Sequence, residues 1–110
     1  MPGIFHLKRS GDQFMFNLKA SGNGETVLTS ERYTSKQNAE GGILSVKANA
    51  PYDARDQKLT ARDGSPYFTV TATNGQVIGV SEMYSTTRAR DEGIAWVKAN
   101  APSATTLDLT

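Results

Sequence analysis

Cysteine is absent from all 110 residues, which removes disulfides, thiolate nucleophiles and cysteine metal sites together. A chain without cysteine suits a reducing compartment, so a cytoplasmic location is expected. Histidine is nearly absent as well. His6 is the only one, so a histidine metal cluster is excluded and no metal or other cofactor is expected. A Ser-His-Asp triad would have to use His6, and no Gly-x-Ser-x-Gly elbow marks a nucleophile for it. Long apolar runs are also lacking. The opening Met-Pro-Gly-Ile-Phe-His-Leu-Lys-Arg has no signal-peptide core, and no stretch approaches the roughly 18 apolar residues of a membrane span. No membrane association is expected. Finally, neither sign of charge is in excess. Twelve basic and eleven acidic residues give a net charge of +1, so no field over the whole surface attracts an acidic partner.

What is present suits one globular domain. Hydrophobic residues make up 37% and charged residues 21%, too apolar for a disordered chain and too polar for a membrane protein. The dominant feature is an internal repeat. A shift of 51 brings Asn23-Gly24 onto Asn74-Gly75, Ser30-Glu31-Arg32-Tyr33 onto Ser81-Glu82-Met83-Tyr84, and Gly42-Ile43 onto Gly93-Ile94. Val46 to Pro51 recurs unchanged as Val97 to Pro102, and 13 of the 29 pairs from Asn23/Asn74 to Pro51/Pro102 are identical. Towards the N-terminus the shift becomes 52, matching Leu7 to Leu59, Phe16 to Phe68, Leu18 to Val70 and Ala20 to Ala72. The first copy carries one extra residue near Ser21-Gly22.

Each copy reads as three strands and a helix. Phe5 and Leu7, then Phe14, Phe16, Leu18 and Ala20, alternate with polar residues at the period of a half-buried strand. Asn23-Gly24 and Asn74-Gly75 predict tight hairpins in which Asn and Gly take positive φ. Third strands follow at Thr26 to Ser30 and Val77 to Ser81. Thr34-Ser35 and Ser85-Thr86-Thr87 predict helix N-caps, with Thr34 and Gln37 forming a capping box. Ala39, Ile43, Val46 and Ala50, echoed by Ile94, Val97 and Ala101, form an apolar stripe. Asn49-Ala50-Pro51 and Asn100-Ala101-Pro102 predict helix ends with a left-handed Asn.

One such unit has unpaired edges and a small core, so two units gain by joining. The expected fold is therefore α+β: a tandem duplication of a β-β-β-α unit forming one antiparallel sheet with two helices on one face. Residues 1–110 form a single domain of two repeats, about 3–53 and about 54–110. The full chain is expected to be a monomer with an internal pseudo-twofold axis.

Tyr33-Thr34-Ser35-Lys36, Gly24 to Glu31 and the doubled Val-Lys-Ala-Asn resemble the YegP-like family of small uncharacterised bacterial proteins. The resemblance spans essentially the whole chain. It implies the duplicated unit with C-terminal segments exchanged between halves, and it implies no activity.

Chemistry is sparse. Gly22-Asn23-Gly24 and Gly41-Gly42 are too short for a phosphate loop and read as a turn and a close helix-to-sheet contact. Glu31 and Glu82 would be related by the axis, either as a carboxylate pair of the glycosidase kind or as exposed strand-end charges near helix N-termini. Tyr33 and Tyr84 suit a hydrophobic staple, and Trp96, in place of Ser45, suits a packed aromatic or an anchor for a partner. No residue is assigned as catalytic. The function expected is a non-catalytic binding or interaction module, possible partners being proteins, with Glu31, Tyr33, Glu82, Tyr84, Trp96, Lys8, Arg9 and Lys19 as candidate interaction residues. The alternative is weak nucleic-acid binding, with Lys8, Arg9, Lys19 and Arg62 interleaved with aromatics on an exposed sheet face. An enzyme using Glu31 and Glu82, or a small-molecule site on the axis, ranks below both.

Overall fold

The computed structural model describes residues 2–110. The elements run β1 Gly3–Ser10, β2 Gln13–Ala20, β3 Thr26–Thr29, α1 Lys36–Asn49, β4 Asp56–Thr60, β5 Pro66–Thr71, β6 Val77–Ser81, α2 Thr87–Asn100 and β7 Thr105–Asp108, with short 3-10 turns after each helix. They form an α+β fold of two helices on a seven-stranded sheet, ordered β4-β5-β6-β3-β2-β1-β7. Among the described residues no helix is long and apolar enough to cross a membrane.

Two three-stranded meanders meet at the centre, where β3 and β6 pair antiparallel and Thr29 faces Val80. Thr29 and Val80 are counterparts at the 51-residue shift, so the pseudo-twofold axis passes through that pair. Both helices feed one core. Phe5, Leu7, Phe16 and Leu18 of the first half meet Phe68 and Val70 of the second beneath Ala39, Ile43, Val46 and Val97. Each half contains a β-bulge, at Val27 in β3 and at Ile78 in β6, where the register slips by one residue. The bulge turns two consecutive residues inward, which explains why Val27-Leu28 and Ile78-Gly79 are buried as pairs. The buried Ser30 hydroxyl accepts from the Phe16 amide at 2.9 Å and donates to the Glu31 carbonyl, and Ser81 does the same for Phe68 and Glu82.

Five expectations need correction. The sheet is mixed rather than antiparallel throughout, because β7 lies parallel to β1, Phe5 beside Thr106. The tail of the second repeat thus covers the first repeat's edge. The matching segment of the first repeat runs directly into β4, which pairs only with β5, so the exchange has one direction. The caps are Ser35 and Thr86, whose side chains accept from the Asn38 and Ala89 amides; Thr34 and Gln37 form no box. Neither Asn49 nor Asn100 is left-handed, since positive φ falls only on glycines among the described residues. Their amides instead donate to the Ser45 and Trp96 carbonyls one turn back, and the following prolines stop the helix. In the Asn-Gly turns only Gly24 and Gly75 take positive φ, while Asn23 and Asn74 accept from the amide two residues on.

The match of Leu7 to Leu59 also fails. β1 pairs with β2 as Leu7 with Phe16, whereas β4 pairs with β5 as Lys58 with Phe68 and Asp56 with Val70. The hairpin between β4 and β5 has one residue more than that between β1 and β2, and a one-residue slip sends every side chain to the other face. Leu59 therefore lies on the open face. Asp56 takes the place of Phe5, and Lys58 that of Leu7.

Candidate functional site

The second helix and the turn between β2 and β3 enclose a cleft of about 480 Å³ between the repeats. One wall comes from the first repeat. The Asn23 side chain accepts from the Glu25 amide, fixing a turn that carries Gly24 at φ 69° and leaves Glu25 at the rim, with Val27 behind it. The other wall is α2, which contributes Glu92, Gly93 and Trp96, and the residue before its cap region, Tyr84.

Tyr84 and Gly93 explain each other. The Tyr84 ring stacks on buried Phe68 with centroids 6.2 Å apart, and α2 passes so close that a Cβ on Gly93 would lie 2.8 Å from the ring's Cζ. Burial raises the Tyr84 hydroxyl above its ordinary pKa, and the charges of Glu25 and Glu82 raise it further. Trp96 is half-buried at the edge of the core and covers the start of β1, where a Cβ on Gly3 would come within 3.0 Å of its Cη2. Glu92 has one neighbour of opposite sign, Arg88, at 3.6 Å, with both side chains largely exposed.

The other candidates fall elsewhere. Glu31 and Glu82 line one shallow groove of about 320 Å³ with Val77, Gly79 and Val80, but each lies two residues beyond the Thr29–Val80 pair on antiparallel strands, on opposite sides of the pseudo-axis, and both are exposed. Tyr33 stacks on Phe16 beneath Gly42, the counterpart of the Tyr84 arrangement, and is half-buried. Lys8 and Lys19 share the open face with His6, whose pKa is lowered by burial and then by those two lysines. Arg9 does not join them. It points to the opposite face, 5.1 Å above the Phe14 ring. Arg62 sits in the hairpin after β4, at the far end of the sheet.

A row of one residue per strand crosses that open face, Leu107, His6, Asn17, Thr29, Val80, Thr69 and Gln57. Asn17 donates to Thr29 at 2.9 Å and Thr69 to Gln57 at 3.0 Å, so much of this row is already internally bonded.

The sequence reading missed Glu25 and Glu92. Their signal lay in the repeat itself, where Gln76 stands opposite Glu25 and Gly41 opposite Glu92.

The model of the domain of unknown function DUF1508 matches twice, over residues 10–57 and 61–108. The chain belongs to the DUF1508 family. A UPF0339 protein of Bordetella pertussis is 68% identical to it over 110 residues, all of this chain and 98% of that one. The UPF0339 protein YegP of Escherichia coli is 55% identical over the whole of both chains. The solution structure of a UPF0339 protein from Shewanella oneidensis superposes with TM-score 0.92 at 50% identity, covering all of this chain and 93% of that one. The solution structure of Escherichia coli YegP, described as a protein of unknown function, does so with TM-score 0.92 at 55% identity, covering 95% of that chain. The likeness to the YegP-like family is thereby shown, and the two DUF1508 matches fit the duplication.

Proposed function

We propose that this DUF1508 protein is a non-catalytic binding module, a monomer of the cytoplasm, that takes its ligand in the cleft between α2 and the turn before β3. One observation carries the reading. The two helices share six of their fourteen positions, and among the places where the repeats differ, Ser45 to Trp96, Gly41 to Glu92 and Gln76 to Glu25 fall together on this one cleft and give it an indole and two carboxylates. Apolar rings beside a few polar groups in a concave site are the composition of a ligand pocket.

The groove holding Glu31 and Glu82 supports catalysis less well. A glycosidase pair needs its acid member shielded so that it holds a proton, and both glutamates here are open to solvent. A second reading, weak binding of single-stranded nucleic acid by Lys8, Lys19 and His6, is favoured by the convergence of the two lysines on His6.

The test is a library of small metabolites and peptides screened by ¹H–¹⁵N shift mapping on the full chain. Ligands that perturb Trp96, Tyr84 and Asn23 and are recovered unchanged support the module. Turnover of a bound ligand, or perturbation confined to the open face, overturns it. For the second reading, a shift by oligo-dT at Lys8 and Lys19 that vanishes with salt is the expected sign, and its absence at low salt removes that reading.

A further inference from the structure

The duplication supplies an internal control for the chemistry of the cleft. At matching positions the other half of the molecule has Gln76, Gly41 and Ser45, which offer neither charge nor a large ring. Tyr84 and Gly93 are shared with Tyr33 and Gly42, because the stacking on Phe68 and Phe16 needs them in both halves. What distinguishes the cleft is therefore two carboxylates and an indole added to an aromatic floor that both halves share. No lysine or arginine is among the residues that line it, and the cation beside Glu92, Arg88, is held only by a long, exposed pair. A ring's negative face and a carboxylate attract the same kind of group. Trp and Tyr faces bind cations, and a glutamate at the rim adds charge-assisted hydrogen bonds. An anion would meet two like charges, and a neutral ligand would gain nothing from either carboxylate, whose present partners are the Asn23 side-chain amide at 3.4 Å for Glu25 and Arg88 for Glu92.

We propose that the cleft binds an organic ammonium ion carried on a methylene chain, as in a polyamine or the side chain of a lysine peptide, with Trp96 and Tyr84 against the methylenes and Glu25 and Glu92 receiving the charge. This rests on the reading of the cleft as the binding site and names its ligand class. Specificity against anions and neutral chains follows from the carboxylates, whereas affinity for the stem follows from the rings. Arg88 acts as a weak internal competitor for Glu92.

The full chain titrated with spermidine and, separately, with a capped tetralysine peptide tests the assignment. Trp96, the only tryptophan, reports by fluorescence, and ¹H–¹⁵N shifts locate the site. Triethylene glycol and succinate serve as the neutral and anionic controls. Saturable shifts at Trp96, Tyr84 and Asn23 with at least one cation are expected, weakening in high salt and by at least about tenfold in the Glu25→Gln, Glu92→Gln double variant. Both substitutions are at exposed positions, so folding should survive, and a variant with Lys8 and Lys19 changed to Ala should bind as before. Saturation by spermidine alone identifies a free polyamine as the source, and saturation by the peptide alone a protein partner. No shift with either cation, or equal binding by the glutamine variant, overturns the assignment. If the controls or other uncharged library members then shift the same residues, the cleft remains the binding site with a different ligand class. If nothing shifts them, both readings fall.

Discussion

Gly41 and Gly42 are adjacent on α1, and the structure predicts opposite consequences for adding one methyl group to each. Gly41 is exposed, and a Cβ there meets nothing within 4 Å. Gly41→Ala therefore gains helix propensity alone and should stabilise the fold by about 0.5–1 kcal/mol. Gly42 faces the sheet. Its Cβ would lie 2.8 Å from Tyr33 Cζ and 3.0 Å from Phe16 Cε2, and would collide with the Tyr33 hydroxyl. The Phe16 ring is fully buried and stacked on Tyr33, so neither ring can retreat without disturbing the core. Overpacking of this kind costs roughly 1–3 kcal/mol, against which the same propensity gain of up to about 1 kcal/mol is set. Gly42→Ala should be destabilising by about 1–2 kcal/mol, a fall of several degrees in Tm for a domain of this size.

Urea unfolding followed by Trp96 fluorescence and circular dichroism measures both variants. The expected result is a higher midpoint for Gly41→Ala and a lower one for Gly42→Ala, with the urea slope unchanged. Tyr33→Phe removes the atom nearest the new methyl, so added to Gly42→Ala it should recover part of the loss. If Gly42→Ala stabilises, or the two alanines act alike, the close approach of α1 to the Tyr33 ring is wrong.

Two further predictions concern the edges of the sheet. Asp56 has its pKa pushed up to about 6, chiefly by burial and next by the charge of Asp53. A carboxyl whose pKa is raised by folding binds its proton more tightly when folded, so its ionised form costs stability above pH 6 and the cost fades as the pH falls towards 4. Asp56→Asn should add roughly 1 kcal/mol at pH 8, after discounting for a group still partly exposed, and almost nothing at pH 4; equal gains at both, read from urea midpoints, would refute the burial. Deleting residues 104–110 removes β7, the Lys36–Asp108 ion pair and the bond from the Leu109 amide to the Leu7 carbonyl, leaving β1 as a bare edge. The shortened chain should melt lower and self-associate in sedimentation, while one that stays monomeric with unchanged Tm would show that β7 is not docked.

Where local chemistry decides the structure, the sequence could be read. Repeated Tyr-x-Ser/Thr and Gly-Ile segments placed both helices, and Gly42 was legible as a close contact because a second glycine recurs at Gly93. The extra residue near Ser21 was visible as a change of shift, and appears as a hairpin one residue longer than the one following Thr71. Register at the outer edge was not legible. Leu59 looks like the partner of Leu7, and only the longer hairpin after β4 moves it to the other face. The direction of β7 was equally hidden, since Thr105 to Asp108 alternates in the same way whether it runs parallel or antiparallel to β1. The cleft depended on long-range geometry. Glu25 and Glu92 are 67 positions apart in the chain and become neighbours only because β3 pairs with β6 and brings the second helix over the first hairpin.

These features share one physical origin. A perfect duplication would give two equal edges and two equal clefts, but a single continuous chain cannot supply them. The segment after α1 has to continue into β4, so it cannot also lie beside β4 as a separate strand in the way that β7 lies beside β1. The outer half of the second repeat is consequently the thinner one. It has Asp56 and Lys58 where the first half has Phe5 and Leu7, and it is held over α2 by charged pairs, Lys58 with Asp91 and Lys98 with Asp53. Exposed pairs of this kind contribute little, so β4 adds little to the fold, and the second repeat's strands contribute to the core chiefly through Phe68 and Val70 of β5 and Ile78 of β6. That division leaves α2 less committed to the core than α1: five positions of α1 are buried and only Val97 of α2 is. A helix with so much surface outside the core can carry an exposed Glu92 at little structural cost, while Trp96 packs against the edge of the core beside the same cleft.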